Sequence, residues 1–369
     1  MAHEEKLPWE LTEEILSRVP PKSLVRFKTI CKPWNALFHD KTFINNHKMT
    51  FRFILATKSK IYSVSINPEI MVRELTLDTP GLESHEIPKN FIDCNEFLLC
   101  EMDKGSVVWN PWLKQTNWIE PELKQTRMVS YGIGQNNKGS YKIVASCTQK
   151  EEPTKRLLKI HDFASETWKD HHSEGGASNG PRLHARSGVS LNGNLYWVTY
   201  YDMVEPLYQV TKFNSSSEGF FKFCNLPSGT TYVVKDALVL RVFNGDRFSL
   251  LKQCHATKKI EISVSSKINN HLNCQGVEWI KVMEVSSPLN NLPDLVDSHP
   301  SYFIEDKRVV VCSCDQTGRA WIYVLGENKV ISKTRLDSVV DPWPSHCSFT
   351  PGLVPVPRGQ REELAELQV

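Results

Sequence analysis

Apolar positions recur at helical spacing over the first forty or so residues, and over most of the remaining chain they alternate. Leu11, Ile15, Leu16 and Val19 fall on one face of a 3.6-period helix. Pro8 precedes that face, where a missing N–H costs little, and Glu10, Glu13 and Glu14 suit the positive end of the helix dipole. Pro20 and Pro21 stop the helix. A second stripe runs through Leu24, Phe27, Ile30 and Cys31, and after Pro33 a third runs through Trp34, Leu37 and Phe38. The pattern predicts a three-helix head over residues 1–45, a β-rich body over 46–357 and a charged tail over 358–369. The fold class is therefore α+β and multidomain, with a mainly antiparallel body.

Three helices in about forty residues bury little core by themselves. The stripes imply either a cap packed on the body or a surface that a partner completes. A three-helix DNA reader is a further possibility, because Lys22, Arg26, Lys28 and Lys32 make the second and third helices basic. Glu10, Glu13 and Glu14 lie beside them and would repel phosphate, so no nucleic-acid partner is expected.

The body repeats itself. Asn192-Gly193 and Asn244-Gly245 each sit between apolar alternating runs, a strong hairpin signal, and they are 52 residues apart. Asn110, Asp162 and Asn214 each close an apolar run at the same interval of 52. Units are expected over 90–120, 129–170, 187–224, 237–285 and 301–336. About fifty residues and roughly four strands per unit match a propeller blade. Residues 61–77 read as an incomplete unit, which Cys347–Pro357 is expected to complete by pairing with it, so closing the ring. A β-sandwich with regular hairpins is the alternative.

Composition narrows the function. The net charge of +2 on 369 residues indicates neither general nucleic-acid binding nor an acidic substrate. Ten cysteines show no C-x-x-C pair, and Cys312 and Cys314 share one strand face as buried thiols. No metal or cofactor is expected. With no signal-like or membrane-length apolar run, the expected location is cytoplasm or nucleus, with no membrane partner. His161, His171, His172 and His184 read as solvated loop residues, and Tyr196, Trp197, Tyr200 and Tyr201 as more core than binding surface. No nucleophile elbow, zinc-helix pair or dinucleotide fingerprint occurs.

The head closely resembles an F-box, on Leu7-Pro8, on EEILSRVP from Glu13 to Pro20, and on KSLVRFKTICKPWNAL from Lys22 to Leu37. The body resembles the F-box-associated domain of plant F-box proteins, on SVVWNPWLKQTNWIEP (106–121), KIHDFASETWKDH (159–171), GVSLNGNLYWVTYY (188–201) and GVEWIKVMEV (276–285). The resemblance implies a non-catalytic substrate-recognition subunit of a Skp–cullin–F-box ubiquitin ligase. Its head would dock to a Skp-family adaptor, and through it to a cullin scaffold. Its body would bind a protein target. Leu7, Pro8, Leu11, Ile15, Leu16, Val19, Pro20, Leu24, Phe27, Cys31 and Trp34 are the adaptor-binding candidates that the resemblance gives. The loop from His171 to Arg186 is the candidate for target contact. A propeller lectin or enzyme with a helical cap, or an adaptor-bound scaffold outside any ligase, are the alternatives.

Overall fold

Four helices, not three, open the chain: α1 (Trp9–Leu16), α2 (Pro21–Phe27), α3 (Lys32–Leu37) and α4 (Lys41–Asn46). The fourth follows from a local signal, Asp40, whose Oδ1 accepts from the Thr42 and Phe43 N–H groups at 2.6 and 3.3 Å and so caps the helix. The structure, a computed structural model, describes residues 7–79, 86–120, 126–135, 139–149, 156–171, 182–183, 188–201, 207–227, 235–268, 276–286, 299–305 and 307–358.

Six antiparallel sheets follow, arranged as the blades of a propeller. Blade 2 holds Asn90–Cys94, Phe97–Glu101, Ser106–Asn110 and Gln115–Ile119. Blade 3 holds Thr126–Gln135, Tyr141–Gln149, Arg156–Asp162 and Thr167–His171. Blade 4 begins with two short pieces, Arg182–Leu183 and Val189–Leu191, both paired with Asn194–Tyr201, and continues with Leu207–Asn214 and Gly219–Asn225. Blade 5 holds Ala237–Phe243, Arg247–Gln253, Ile260–Ser265 and Trp279–Val285, and blade 6 holds Ser301–Glu305, Arg308–Cys314, Ala320–Gly326 and Lys329–Arg335. The innermost strands of successive blades neighbour one another around a closed ring.

The 52-residue interval has a physical origin. Asn110, Asp162 and Asn214 each end the third strand of a blade and cap the turn to the fourth. Asn110 Oδ1 accepts from Trp112 and Leu113 N–H at 3.1 Å, Asp162 Oδ1 from Ala164 N–H at 2.9 Å, and Asn214 Oδ1 from Ser216 and Ser217 N–H at 2.9 and 3.0 Å. Each turn then passes through a left-handed residue, Lys114, Glu166 or Glu218, at φ 54°, 54° and 55°. The Asn192-Gly193 and Asn244-Gly245 turns join first to second strands, with positive φ at both residues; the first is a two-residue hairpin loop, which requires this, and the second a three-residue loop closed by Asp246.

Closure occurs, but not with the expected partner. Ser345–Ser348 pairs antiparallel with Phe53–Ala56, with Phe53 opposite Ser348 and Ala56 opposite Ser345. Phe53–Ala56 pairs in turn with Ile61–Ser65, and that strand with Met71–Leu75, completing blade 1. Residues 349–357 are not a strand. Pro351, Pro355 and Pro357 supply no N–H to a ladder. Instead this segment is a strap across blade 2. Asn110 Nδ2 donates to the Gly352 and Val354 carbonyls at 3.3 and 2.9 Å, Val356 N–H to Gln115 Oε1 at 3.1 Å, and Asn117 Nδ2 to the Pro357 carbonyl at 2.9 Å.

Head and propeller share one hydrophobic core. Leu16, Leu24, Leu37, Phe38, Phe43 and Ile44 pack in the same cluster as Ile54, Phe91, Trp109 and Trp112 of blades 1 and 2 and Phe349 and Leu353 of the strap. Polar ties reinforce the junction: Lys28 Nζ donates to the Leu353 carbonyl at 2.8 Å, and Trp112 Nε1 to the Met49 carbonyl at 3.2 Å.

Several side chains assigned to loops or left open in the sequence are core. His161 lies in a strand, buried, with ring centroids 5.1 Å from both Phe163 and Trp168, so the solvated-loop reading does not hold for it. His171 ends the last strand of blade 3, half-buried, with its Nε2 on the Glu218 carbonyl. Tyr196 and Trp197 are buried. Cys312 and Cys314 lie in one core cluster with Phe53 and Leu55, and burial raises both thiols, the latter to about 12. His172, His184, most of the loop from His171 to Arg186 and the tail beyond Arg358 lie outside the described residues.

Candidate docking site on the helical head

The site is built on α1, and α1 is held from both ends. Pro8 stands at its N-cap, and its carbonyl accepts from the Thr12 N–H at 3.1 Å and the Thr12 hydroxyl at 3.2 Å. One turn in, Trp9 Nε1 donates to Glu13 Oε1 at 2.7 Å. Arg18 Nη2 meets Glu14 Oε1 at 2.5 Å across one turn, and this hydrogen bond holds the Glu14 carboxyl below the usual carboxylate range. At the far end the Ser17 carbonyl accepts from Lys48 N–H at 3.1 Å, tying the helix to the segment that enters the propeller.

The stripe that reads as one face in the sequence is divided by the fold. Leu16 is buried, Val19 half-buried, and both pack into the shared core. Leu11 and Ile15 are 52% and 54% exposed, one helical turn apart. Leu7 and Pro8, which lead into the helix, are exposed as well, as is Pro20 at the following turn. Leu24 is buried in α2 and contributes no surface. Phe27, Cys31 and Trp34 are half-buried at the α2–α3 corner, with the Phe27 and Trp34 ring centroids 5.7 Å apart.

The eleven candidates thus separate by role. Leu7, Pro8, Leu11, Ile15 and Pro20 present surface. Leu16 and Leu24 hold that surface from behind. Val19, Phe27, Cys31 and Trp34 stand between. Two apolar residues that the candidate list lacks also face solvent, Trp9 on α1 and Ile30 after α2. Trp9 stands seven residues before Leu16, at the edge of the same stripe, so periodicity places it beside a buried position. Its exposure is a property of how α1 sits against the propeller. Ile30 falls on the second stripe and is turned outward because the chain leaves α2 at Lys28, before reaching it.

A file of rings carries this surface into the body. From Trp34, Phe38 follows at 6.5 Å, Phe43 at 5.9 Å, His47 at 6.0 Å and Trp112 of blade 2 at 5.2 Å. His47 sits in that file with its Nε2 on the Val19 carbonyl at 2.9 Å, and burial lowers its pKa. Where the head meets blade 2, burial raises the Glu96 carboxyl and lowers the Lys28 ammonium, and each opposes the other's shift. The geometry offers apolar contact on a rigid support. Among the described residues no three His, Cys, Asp or Glu side chains are grouped to hold a metal ion.

The fold is a six-bladed propeller with a helical head that keeps an apolar helix face in solvent. Comparison with known families agrees: residues 5–46 match the F-box domain and residues 52–356 the F-box associated beta propeller domain. The chain belongs to that family of F-box proteins. F-box/kelch-repeat protein At3g16580 of Arabidopsis thaliana is 68% identical over the whole of both chains, and F-box protein At2g14710 of the same plant is 59% identical over the whole of both. Among solved structures, AofleA from Arthrobotrys oligospora is similar at 10% identity and a TM-score of 0.43, over 79% of this chain and 84% of that one.

Proposed function

We propose that this protein is the substrate-recognition subunit of an SCF-type ubiquitin ligase, non-catalytic itself, with the head docked to a Skp-family adaptor and the propeller holding a protein target. The observation that carries this is the pair Leu11 and Ile15. A helix whose opposite side is locked into the core keeps two large aliphatic side chains more than half exposed. Leu7 and Pro8 extend that surface. Burying an aliphatic side chain against a partner is worth about 1.5–3 kcal/mol, so such a face favours a partner that covers it.

The head contributes placement rather than chemistry. Ubiquitin transfer would be carried by the cullin-bound conjugating machinery, and this chain would raise the effective concentration of a target lysine beside it. The shared core makes the head a fixed mount, so a target on the propeller would be held in one orientation. Cytoplasm and nucleus are the compartments this role requires.

The test is co-expression of the full chain with a Skp-family adaptor followed by gel filtration. The reading predicts co-elution at equal stoichiometry, and a full chain that elutes alone at micromolar concentration would contradict it.

A further inference from the structure

Head and propeller are joined by the connection 47–52 and by their shared hydrophobic core. Hydrophobic burial is non-directional, so it resists separation of the two bodies more than rotation of one against the other. Hydrogen bonds have a preferred direction and add what burial lacks. Two of them lie at the connection itself. Trp112 Nε1 donates to the Met49 carbonyl at 3.2 Å, and Arg52 Nη1 to Asn45 Oδ1 at 3.0 Å. Bonds so close to the pivot have little leverage on the angle. The strap 349–357 starts at the same place, where Phe349 N–H donates to the Arg52 carbonyl at 2.8 Å, and runs outward to Gln115 and Asn117 on the outermost strand of blade 2.

Along that path the strap is held from both sides. Asn110 Nδ2, from the propeller, donates to the Gly352 and Val354 carbonyls. Lys28 Nζ, from α2 of the head, donates to the Leu353 carbonyl between them at 2.8 Å. Three successive carbonyls thus go to propeller, head and propeller, as a pleated, extended chain alternates its groups from side to side. The Leu353 side chain enters the core that both bodies share. The strap belongs to no sheet, so past Phe349 it depends on side chains that can be changed one at a time.

Asn110 combines two roles at this point. Its Oδ1 caps the turn to the fourth strand, as those of Asp162 and Asn214 do in blades 3 and 4, and its Nδ2 holds the strap. An aspartate at 110 keeps the acceptor for the cap and turns a second oxygen on two carbonyls that need a donor. Gly352 gives a separate handle. A Cβ there would stand 2.4 Å from Glu96 Cδ, in the first turn of blade 2. Gly352 does not have a positive φ, so alanine at 352 tests the contact and not the backbone conformation.

We propose that residues 349–357 form a clasp that sets the angle between head and propeller, with Asn110 and Lys28 as its positioning residues. The clasp lies outside the closing strand Ser345–Ser348, so it can open while the ring stays shut. Under the ligase reading, on which this consequence alone rests, the clasp fixes the span between adaptor and bound target. Pulsed electron double resonance on the full chain tests it, with spin labels attached through an unnatural ketone side chain at the exposed positions Asn35 of α3 and Lys222 of blade 4. The unmodified chain should give one narrow distance distribution. Asn110→Asp, Lys28→Met and Gly352→Ala should each widen or split it while the melt stays cooperative. Asn214→Asp makes the same exchange at the blade 4 cap. It should leave the distribution narrow even where it lowers the melting temperature, so loss of stability alone does not imitate the effect. Distributions for Asn110→Asp and Gly352→Ala as narrow as that of the unmodified chain, and centred on the same distance, would overturn the proposal. Equal widening in Asn214→Asp would overturn it too. If Asn110→Asp does not fold, Gly352→Ala and Lys28→Met decide in the same way. An unmodified chain that binds no adaptor would overturn the ligase reading and leave the distances to judge the clasp.

Discussion

Arg241 Nη1 lies 2.5 Å from Asp93 Oδ2, and the two residues belong to the innermost strands of blades 5 and 2, three places apart in a ring of six. The ion pair therefore spans the propeller's central channel. Asp93 also accepts from Ser348 Oγ at 3.3 Å and from Asn95 N–H at 2.8 Å, so three blades and one turn meet at a single carboxylate. Removing one partner of a mostly buried pair leaves the other charge uncompensated, which costs about 3–5 kcal/mol. Arg241→Met and Asp93→Asn should each lower urea stability by that order. The double variant should lose clearly less than the two losses added together, in a double-mutant cycle. Strict additivity would mean that the pair does not brace the ring.

The strap predicts a graded response to truncation. Ending the chain at Arg358 removes none of the strap's bonds. Ending it at Ser348 keeps the closing strand but uncovers the head core at Phe349 and Leu353. Ending it at Pro344 opens the ring as well. Melts followed by circular dichroism should be near-native for the first, markedly lowered for the second and non-cooperative for the third. Leu353→Ala in the full chain should cost about 2–5 kcal/mol, and a cost under 1 kcal/mol would show that head and strap do not share a core.

His161 gives a pH dependence of known sign. Burial lowers its pKa from 6.5 to about 4, with the nearby Asp162 opposing. Its Nδ1 has no hydrogen-bond partner. The unfolded chain binds the proton near pH 6.5 and the folded chain only near 4. Stability from this residue is therefore full above pH 6.5 and falls as pH drops toward 4, by about 1.4 kcal/mol per pH unit. Denaturant melts at pH 7 and pH 5 should show a smaller loss in His161→Phe than in the unmodified chain. An equal loss would mean that the imidazole is not held neutral.

Gly193 tests the hairpin that the sequence flags most clearly. Its φ is 75°, and a Cβ there would stand 2.7 Å from the Gln135 carbonyl oxygen of blade 3. Gly193→Ala should cost more than about 1 kcal/mol, because both the backbone conformation and a neighbouring main chain oppose the methyl group. A neutral substitution would place the blade 3–blade 4 contact elsewhere.

Local chemistry was legible in the sequence, and long-range partnership was not. Asn110, Asp162 and Asn214 announce blades because one side chain caps one turn, and that needs only neighbours in the chain. The strand Phe53–Ala56 is apolar at all four positions and has no alternation to read, whereas Ile61–Ser65 mixes polar and apolar residues and so draws the expected pairing of the closing strand. The stripe Leu11, Ile15 and Leu16 is correct as a helix, and Val19 follows it in the turn after α1. Periodicity cannot say which part of it the propeller covers, because the covering side chains, Trp112 and Leu353 among them, lie far along the chain. Arg241 and Asp93 carry no sequence signal of their pairing, for the same reason.

The central claim is that the solvent face of α1 is the adaptor surface, and calorimetric titration of a Skp-family adaptor into the full chain addresses it directly. Leu11→Asp with Ile15→Asp places two charges on that face and touches nothing in the core, whereas Leu16→Ala empties the core and leaves the face intact. The account predicts that the first variant loses binding by about two decades or more, consistent with loss of two buried aliphatic contacts, while its melting temperature stays within a few degrees of the unmodified chain. It predicts that the second melts lower and still binds when measured below its transition. Undiminished binding by the Leu11→Asp, Ile15→Asp variant would contradict the account.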